Sequence, residues 1–315
     1  MIKNTITSTK AKLTQVRTFS VDFSQEKVLR SRVRLNNGAE MPQIGLGTYS
    51  VKKPEQIQWA LKYGYRHFDS GFFYGNEAMI GQELKKAEKE LWIPRAAVFM
   101  ATKIPPKDQG YEKTKAIIEK SLKSLSDLET IDLVLLTFPS TPGLDPKDPK
   151  NIENRHDSWK AMEEFVISGK VRSIGLANFK PRHIEKLLKI SWIKPVLNQI
   201  ETHPLYQEHD TIALCQQNDI AIEAYSPLAQ YKKELIENTT ITKIAQSHGL
   251  DVSRTILAYL TQKGFIVIPR STKEEHIASN IQIGDVRLSE DDMKEIDALS
   301  QGNQMKVCWD SKDVI

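Results

Sequence analysis

The chain has 315 residues, 40% apolar and 27% charged, a balance that excludes a disordered chain, a collagen-like fibre and a disulfide miniprotein. Its formal charge is +4, but residues 1–35 hold eight Lys/Arg against Asp22 and Glu26, so the remaining body is slightly acidic and lacks the cationic face a nucleic acid needs. The cysteines, Cys215 and Cys308, form no CxxC, the histidines show no paired ligand spacing, and no apolar run reaches membrane-spanning length, so no disulfide framework, metal site or membrane span is expected.

Residues 1–21 contain Lys, Arg, Ser and Thr with no acid, and Ile2, Ile6, Leu13 and Val16 can line one face of an induced helix. This composition resembles a mitochondrial transit peptide, with Arg17-Thr18-Phe19-Ser20 resembling its cleavage site. Residues 1–25 are therefore read as a basic N-terminal extension directing the protein to the mitochondrial matrix, with a solvated tail on a cytoplasmic protein as the alternative. Residues 26–315 form the second unit, a single folded domain.

Within that domain, Val33 and Leu35 alternate with arginines before Asn37-Gly38, predicting a short hairpin. Apolar runs of strand length then recur: IGLGTY, HFDSG, AVFMATKI, IDLVLLTF, SIGLAN, PVLNQI, IAIEAYS and IVIP. Between them lie helical patterns. Pro54 and Gly64 bracket an Ile57-Ala60-Leu61 stripe, Ile117, Ile118, Leu122 and Leu125 repeat at helical spacing, and Ser289 with Asp292 caps a late helix. Near-continuous apolar strands alternating with amphipathic helices imply a parallel sheet, and eight such units close a (β/α)8 TIM barrel, here with the N-terminal hairpin and a C-terminal tail. The rival doubly wound sheet usually carries GxGxxG, which is absent from the chain. The Pro-rich stretch 139–150 reads as a long loop on the active-site side of the barrel.

Barrel sites gather the polar residues that follow each strand. Here these are Asp69, Lys103, Thr137, Asn178, Gln199 with Glu201, Tyr225 with Ser226, and Arg270 with Ser271. Singly, each has a bland reading as a helix cap, a surface lysine or a satisfied strand end. Jointly they form a ring in which a buried Asp and Lys neutralise each other.

The blocks GYRHFDSGFFYGNEAMIGQEL (64–84), KVRSIGLANF (170–179), LNQIETHP (197–204), AYSPL (224–228) and IPRSTKEEHIASN (268–280) resemble, in order, the motifs of the aldo-keto reductases. The resemblance implies an NADPH-dependent reduction of an aldehyde or ketone. Tyr74 matches the proton donor, Lys103 the cation that favours its phenolate, and Asp69 the acid that holds the lysine. Asn178 and Gln199 match the residues that bond the nicotinamide carboxamide, and Tyr225 the aromatic stacked on its ring, with Ser226 and Leu228 beside it in the cofactor motif. Arg270 and Ser271 match the residues that bind the adenosine-ribose phosphate. Asn280 matches an adenine contact, and His276 stands where an arginine is usual. Tyr49, Phe73, Phe138 and Trp309 are expected to wall the substrate pocket with apolar surface.

One departure bears on catalysis. Family members usually have His-Trp-Pro where this chain has Thr137-Phe138-Pro139. The histidine orients the substrate carbonyl by a hydrogen bond; threonine is shorter and neutral, though its hydroxyl can still donate through a water. Two readings stay open: an active reductase with a reshaped pocket, or a catalytically weak nicotinamide-cofactor-binding scaffold or subunit of a larger assembly. The partner expected in either case is a small carbonyl compound or the cofactor, with a monomer as the default state.

Overall fold

The computed structural model describes residues 31–125, 129–302 and 304–315; the basic extension 1–25 lies outside the described residues. The chain first reverses between β1 (Arg32–Arg34) and β2 (Glu40–Pro42), which pair antiparallel. Of the two turn residues only Gly38 takes the left-handed conformation, at φ 86°, so the hairpin uses one positive-φ residue rather than two. Asn36 Nδ2 donates to the carbonyls of Pro195 and Asp219, and Asn37 Nδ2 donates to Ser173 Oγ. These bonds hook the hairpin across the bottom of the sheet that follows. Leu35 and Met41 pack there with Phe99, Leu133, Leu197 and Ile266, plugging that end.

The main sheet has the order β3 (Leu46–Gly47), β4 (His67–Asp69), β5 (Phe99–Ile104), β6 (Ile131–Leu136), β7 (Val171–Ala177), β8 (Leu197–Glu201), β9 (Ala221–Tyr225) and β10 (Ile266–Val267). All neighbours pair in parallel. A parallel bridge between Ile44 and Val267, with Gly47 N donating to Pro269 O, joins the last strand to the first. This is the expected eight-stranded barrel. Around it lie α1 (Pro54–Lys62), α2 (Glu77–Glu90), α3 (Tyr111–Ser124), α4 (Lys150–Ile167), α5 (Pro181–Leu188), α6 (His209–Gln217), α7 (Lys233–Ile236), α8 (Thr239–Ser247), α9 (Val252–Gln262), α10 (Glu274–Asn280) and α11 (Glu290–Ala298).

Alternation along each strand decides which residues face the barrel axis. On β5, Phe99 and Ala101 belong to the interior plug, so Lys103 shares their face, while Met100 and Ile104 pack outward under the helices. The same step of two places His67 with Asp69, Leu135 with Thr137, Gln199 with Glu201, and Glu223 with Tyr225. The interior is therefore layered: apolar at the hairpin end, polar toward the C-terminal ends of the strands.

Helix ends follow local chemistry. Pro54 opens α1, and Asn238 and Ser289 accept backbone N–H bonds at the starts of α8 and α11. The Pro-rich stretch runs as turns until α4 begins, and Asn151 fixes it by accepting from Thr141 N and donating to Asp145 O. Among the described residues no helix is long and apolar enough to cross a membrane.

Candidate active site

At the C-terminal ends of the strands lies a cavity of about 1170 Å³. At its floor, Lys103 Nζ donates to both carboxylate oxygens of Asp69, at 2.6 Å each, and to Ser70 O at 2.7 Å. All three ammonium protons are thus used within a site where both side chains are buried. Burial alone disfavours the charged lysine, but the charge of Asp69 and its hydrogen bonds outweigh it and hold the ammonium above its ordinary value.

Tyr74 ends a single 3₁₀ turn, Phe72–Tyr74, closed by Gly75 at φ 70°. Asn76 pins this loop, donating to Thr48 O and Val51 O and accepting from Ser70 Oγ. The Lys103 ammonium lies 5.2 Å from the centre of the Tyr74 ring. Tyr49 and Phe73 pack edge-on against that ring at 5.2 and 4.7 Å. Burial pushes the Tyr74 phenol up, and the Lys103 charge acts in the opposite direction without prevailing. The phenol is therefore held protonated at neutral pH, and the lysine lessens the cost of the phenolate rather than making the free hydroxyl acidic.

Thr137 reaches the cavity, but its hydroxyl donates to Ile104 O on the neighbouring strand. This corrects the expectation of a water-bridged donor: that proton is already committed. Asn178, in a left-handed conformation at φ 64°, donates from Nδ2 to Thr137 O and accepts the Tyr225 hydroxyl at 2.7 Å. A strained backbone at this position is held by interactions on both sides. Gln199 Nε2 donates to Asp69 Oδ1 at 2.9 Å and to Glu223 Oε2 at 2.7 Å. Both amide protons are spent on carboxyl oxygens, which leaves its carbonyl oxygen as the group it can offer the cavity.

Ser226, Leu228, Arg270, Ser271 and His276 line one side. Arg270 is exposed at the rim, Ser271 is buried, and the His276 ring lies parallel to Tyr231 at 6.2 Å. Trp309 stacks on Phe73 at 6.4 Å and completes the opposite wall. Two expected residues stand back from the cavity. Phe138 meets Trp309 edge-on, and Asn280 is buried at the end of α10 without lining the space.

Other residues at the site were not singled out from sequence. Glu201 was noted only as a strand-end acid; it clamps the C-terminal segment, accepting from Val307 N at 2.7 Å and Cys308 N at 2.9 Å and pairing with Lys306. The run Ala229–Tyr231 is left-handed throughout, an unusual conformation for non-glycine residues, and Gln230, Tyr231 and Lys273 line the cavity. His67 and Glu223 lie one layer below the ring. Stepping back two residues from each strand-end polar group would have found them.

The donor set suits a nicotinamide dinucleotide phosphate. An amide carbonyl on Gln199 and the Asn178 side chain sit beside Tyr74 and Lys103, and Arg270 and Lys273 stand on the same cavity with no anionic partner among the described residues.

A model described as the aldo/keto reductase family matches residues 43–301. The chain is 37% identical over 281 residues to glyoxal reductase of Bacillus subtilis, covering 88% of this chain and 95% of that one. It is 35% identical over 278 residues to the 9,11-endoperoxide prostaglandin H2 reductase of Trypanosoma cruzi, covering 87% and 93%. Among solved structures, MGS-M4, an aldo-keto reductase enzyme from a deep-sea metagenome library, superposes with TM-score 0.82 at 36% identity, over 90% of this chain and 99% of that one. The Bombyx mori aldo-keto reductase in complex with NADP gives TM-score 0.79 at 28% identity, over 88% and 94%.

Proposed function

The chain belongs to the aldo/keto reductase family, whose members are NADPH-dependent oxidoreductases of small carbonyl compounds, and from that premise we propose that it reduces an aldehyde or ketone to the alcohol with Tyr74 as the proton donor. The observation that carries the reading is the mostly buried Tyr74 phenol beside the neutral Lys103–Asp69 pair at the floor of the cavity. When bound, NADPH supplies the hydride that reaches the carbonyl carbon. The protein's own part is to present a proton at the carbonyl oxygen and to stabilise the charge left on the phenol. Tyr74 gives that proton, and Lys103 offsets the phenolate without needing to move, because Asp69 and Ser70 O fix it.

Gln199 and Asn178 would hold the carboxamide of the bound cofactor, and Tyr225, fixed by its bond to Asn178, would offer its ring to the nicotinamide. Arg270, Ser271 and Lys273 take the phosphate on the adenosine ribose, favouring NADPH over NADH. Tyr49, Phe73 and Trp309 line the mouth with exposed aromatic surface and favour a substrate with an apolar part. Glyoxal reductase and the prostaglandin H2 reductase show two unlike substrates on similar chains. The basic, acid-free residues 1–21 support delivery to the mitochondrial matrix, checked by imaging the full chain against a chain lacking them.

One observation favours a second reading. With the Thr137 hydroxyl committed to Ile104 O, Tyr74 is left to orient the substrate carbonyl unaided, and the protein then serves as a cofactor-binding scaffold with weak turnover. NADPH fluorescence titration followed by absorbance assays over aldehydes, ketones and quinones decides between the two. Turnover that falls at least about 100-fold in Tyr74→Phe, with NADPH binding kept, supports the reductase. Binding without turnover across the panel supports the scaffold.

A further inference from the structure

Beneath the site, a second carboxylic acid lies where the reaction does not require one. Glu223 is wholly buried on β9. Its Oε2 accepts from Gln199 Nε2 at 2.7 Å, and the same nitrogen bonds Asp69. Its Oε1 lies 3.3 Å from His67 Nε2, and both atoms lack a hydrogen-bond partner among the described residues. The other groups that face Glu223 are Lys103 from β5 and, from β4, Asp69 beside His67; β10 offers only Ile266 at that register.

The charges do not balance if every group ionises in its usual way. Lys103 is the one cation against Asp69 and Glu223, and Asp69 already takes two of its three hydrogen bonds. His67 does not help, because burial and then the Lys103 charge push its imidazole down to about 3. Gly45 leaves room for that ring, since a Cβ there would stand 2.3 Å from its Nδ1. A neutral imidazole protonated at Nδ1 can accept at Nε2, so a proton on Glu223 Oε1 would satisfy these two facing atoms together and leave the interior without net charge.

We propose that Glu223 is a positioning residue of the reductase centre, working as a protonated acid that holds the Gln199 amide in one orientation and keeps Asp69 as the sole carboxylate facing Lys103. Its Oε2 accepts one amide proton of Gln199 while Asp69 accepts the other, so the Gln199 carbonyl oxygen is turned to the carboxamide site. Loss of the Glu223 proton to solvent adds an uncompensated negative charge to the floor of the cavity. The Tyr74 proton is then held more tightly, and reduction slows. Burial, followed by the charge of Asp69, raises the Glu223 carboxyl to about 8, which places that loss on the alkaline side of neutrality. The role rests on the reductase reading, although the protonation itself does not.

The test compares wild type, Glu223→Gln and Glu223→Ala across pH 6 to 10. Glutamine keeps an oxygen for Gln199 and an N–H for His67, whereas alanine supplies neither. We expect turnover at pH 6.5 to fall about 10- to 100-fold in Glu223→Ala and to be restored to within about 3-fold of wild type in Glu223→Gln. The wild-type alkaline decline near pH 8 should disappear in Glu223→Gln. A ¹³C resonance from carboxyl-labelled glutamate, assigned by its absence in Glu223→Gln, should titrate near pH 8 and shift when NADPH is added. A decline that persists unchanged in Glu223→Gln, a glutamine variant as impaired as alanine, or a resonance titrating in the ordinary carboxylate range overturns the proposal. Should wild type turn over no carbonyl, the reductase reading fails, and the resonance and its response to NADPH still decide the state of Glu223.

Discussion

Lys103 and Asp69 meet face to face, the ammonium equidistant at 2.6 Å from the two carboxylate oxygens. Neither group has bulk water to fall back on, so each is tolerable only because of the other. Asp69→Asn and Lys103→Met should each cost about 3–5 kcal/mol of stability by leaving one buried charge unpaired. The double variant should lose clearly less than the sum, measured by urea unfolding at pH 7. Additive losses would show that the pair is not a coupled unit.

Because the Thr137 hydroxyl is spent on Ile104 O, it contributes no hydrogen bond to a substrate. Thr137→Val is therefore expected to cost about 1 kcal/mol in thermal stability, by leaving Ile104 O with only its longer bond from Thr137 N, while kcat changes less than about 3-fold. Thr137→His should raise kcat by about 10² to 10³ if the missing carbonyl donor limits turnover. Stopped-flow reduction of one good aldehyde measures both variants.

Arg270 stands exposed on the cavity rim. Replacing it by Ala should weaken NADPH about 10- to 100-fold and NADH less than about 3-fold, the loss of one or two charge-assisted bonds to a phosphate. Parallel fluorescence titrations with the two dinucleotides give the ratio. Equal weakening of both would place the phosphate elsewhere.

The clamp made by Glu201 has a definite pH sign. Burial alone would raise its carboxyl, but bonds from His203 and the Val307 and Cys308 amides, with the Lys306 charge, pull it below the usual 4.5. A depressed acid adds stability that is fully present above about 4.5 and is lost as pH falls through the lower folded value. Amide exchange at Val307 and Cys308 should accelerate over that acid window in wild type. In Glu201→Gln, which has one acceptor oxygen for two donors, both amides should exchange faster already at pH 7. Unchanged exchange in the variant would mean that other contacts hold the segment.

Eight strands were legible because strands buried on both faces leave unbroken apolar runs, and the ring residues were legible because a barrel puts its site where those runs end. His67 and Glu223 escaped notice for the complementary reason: each sits inside a run, one inward step below the ring, where a polar residue looks like a local exception. The Glu201 clamp joins residues more than a hundred positions apart, a relation that no local pattern encodes. Phe138 and Asn280 lie off the cavity lining, a placement that their motifs do not state. Phe138 packs edge-on against Trp309, which itself lines the cavity, and Asn280 is buried at the end of α10. The commitment of the Thr137 hydroxyl likewise depends on the register of β5 against β6, which sequence does not state.

Strand β8 carries Gln199 and Glu201 two residues apart on one face, the first tied to the proton-bearing floor and the second to the backbone leading into Trp309. The strand is thus a strut shared by the wall and the floor of the cavity. The wall that carries Trp309 and the floor that carries the Gln199 amide therefore share one backbone, and neither can be re-registered without shifting the other.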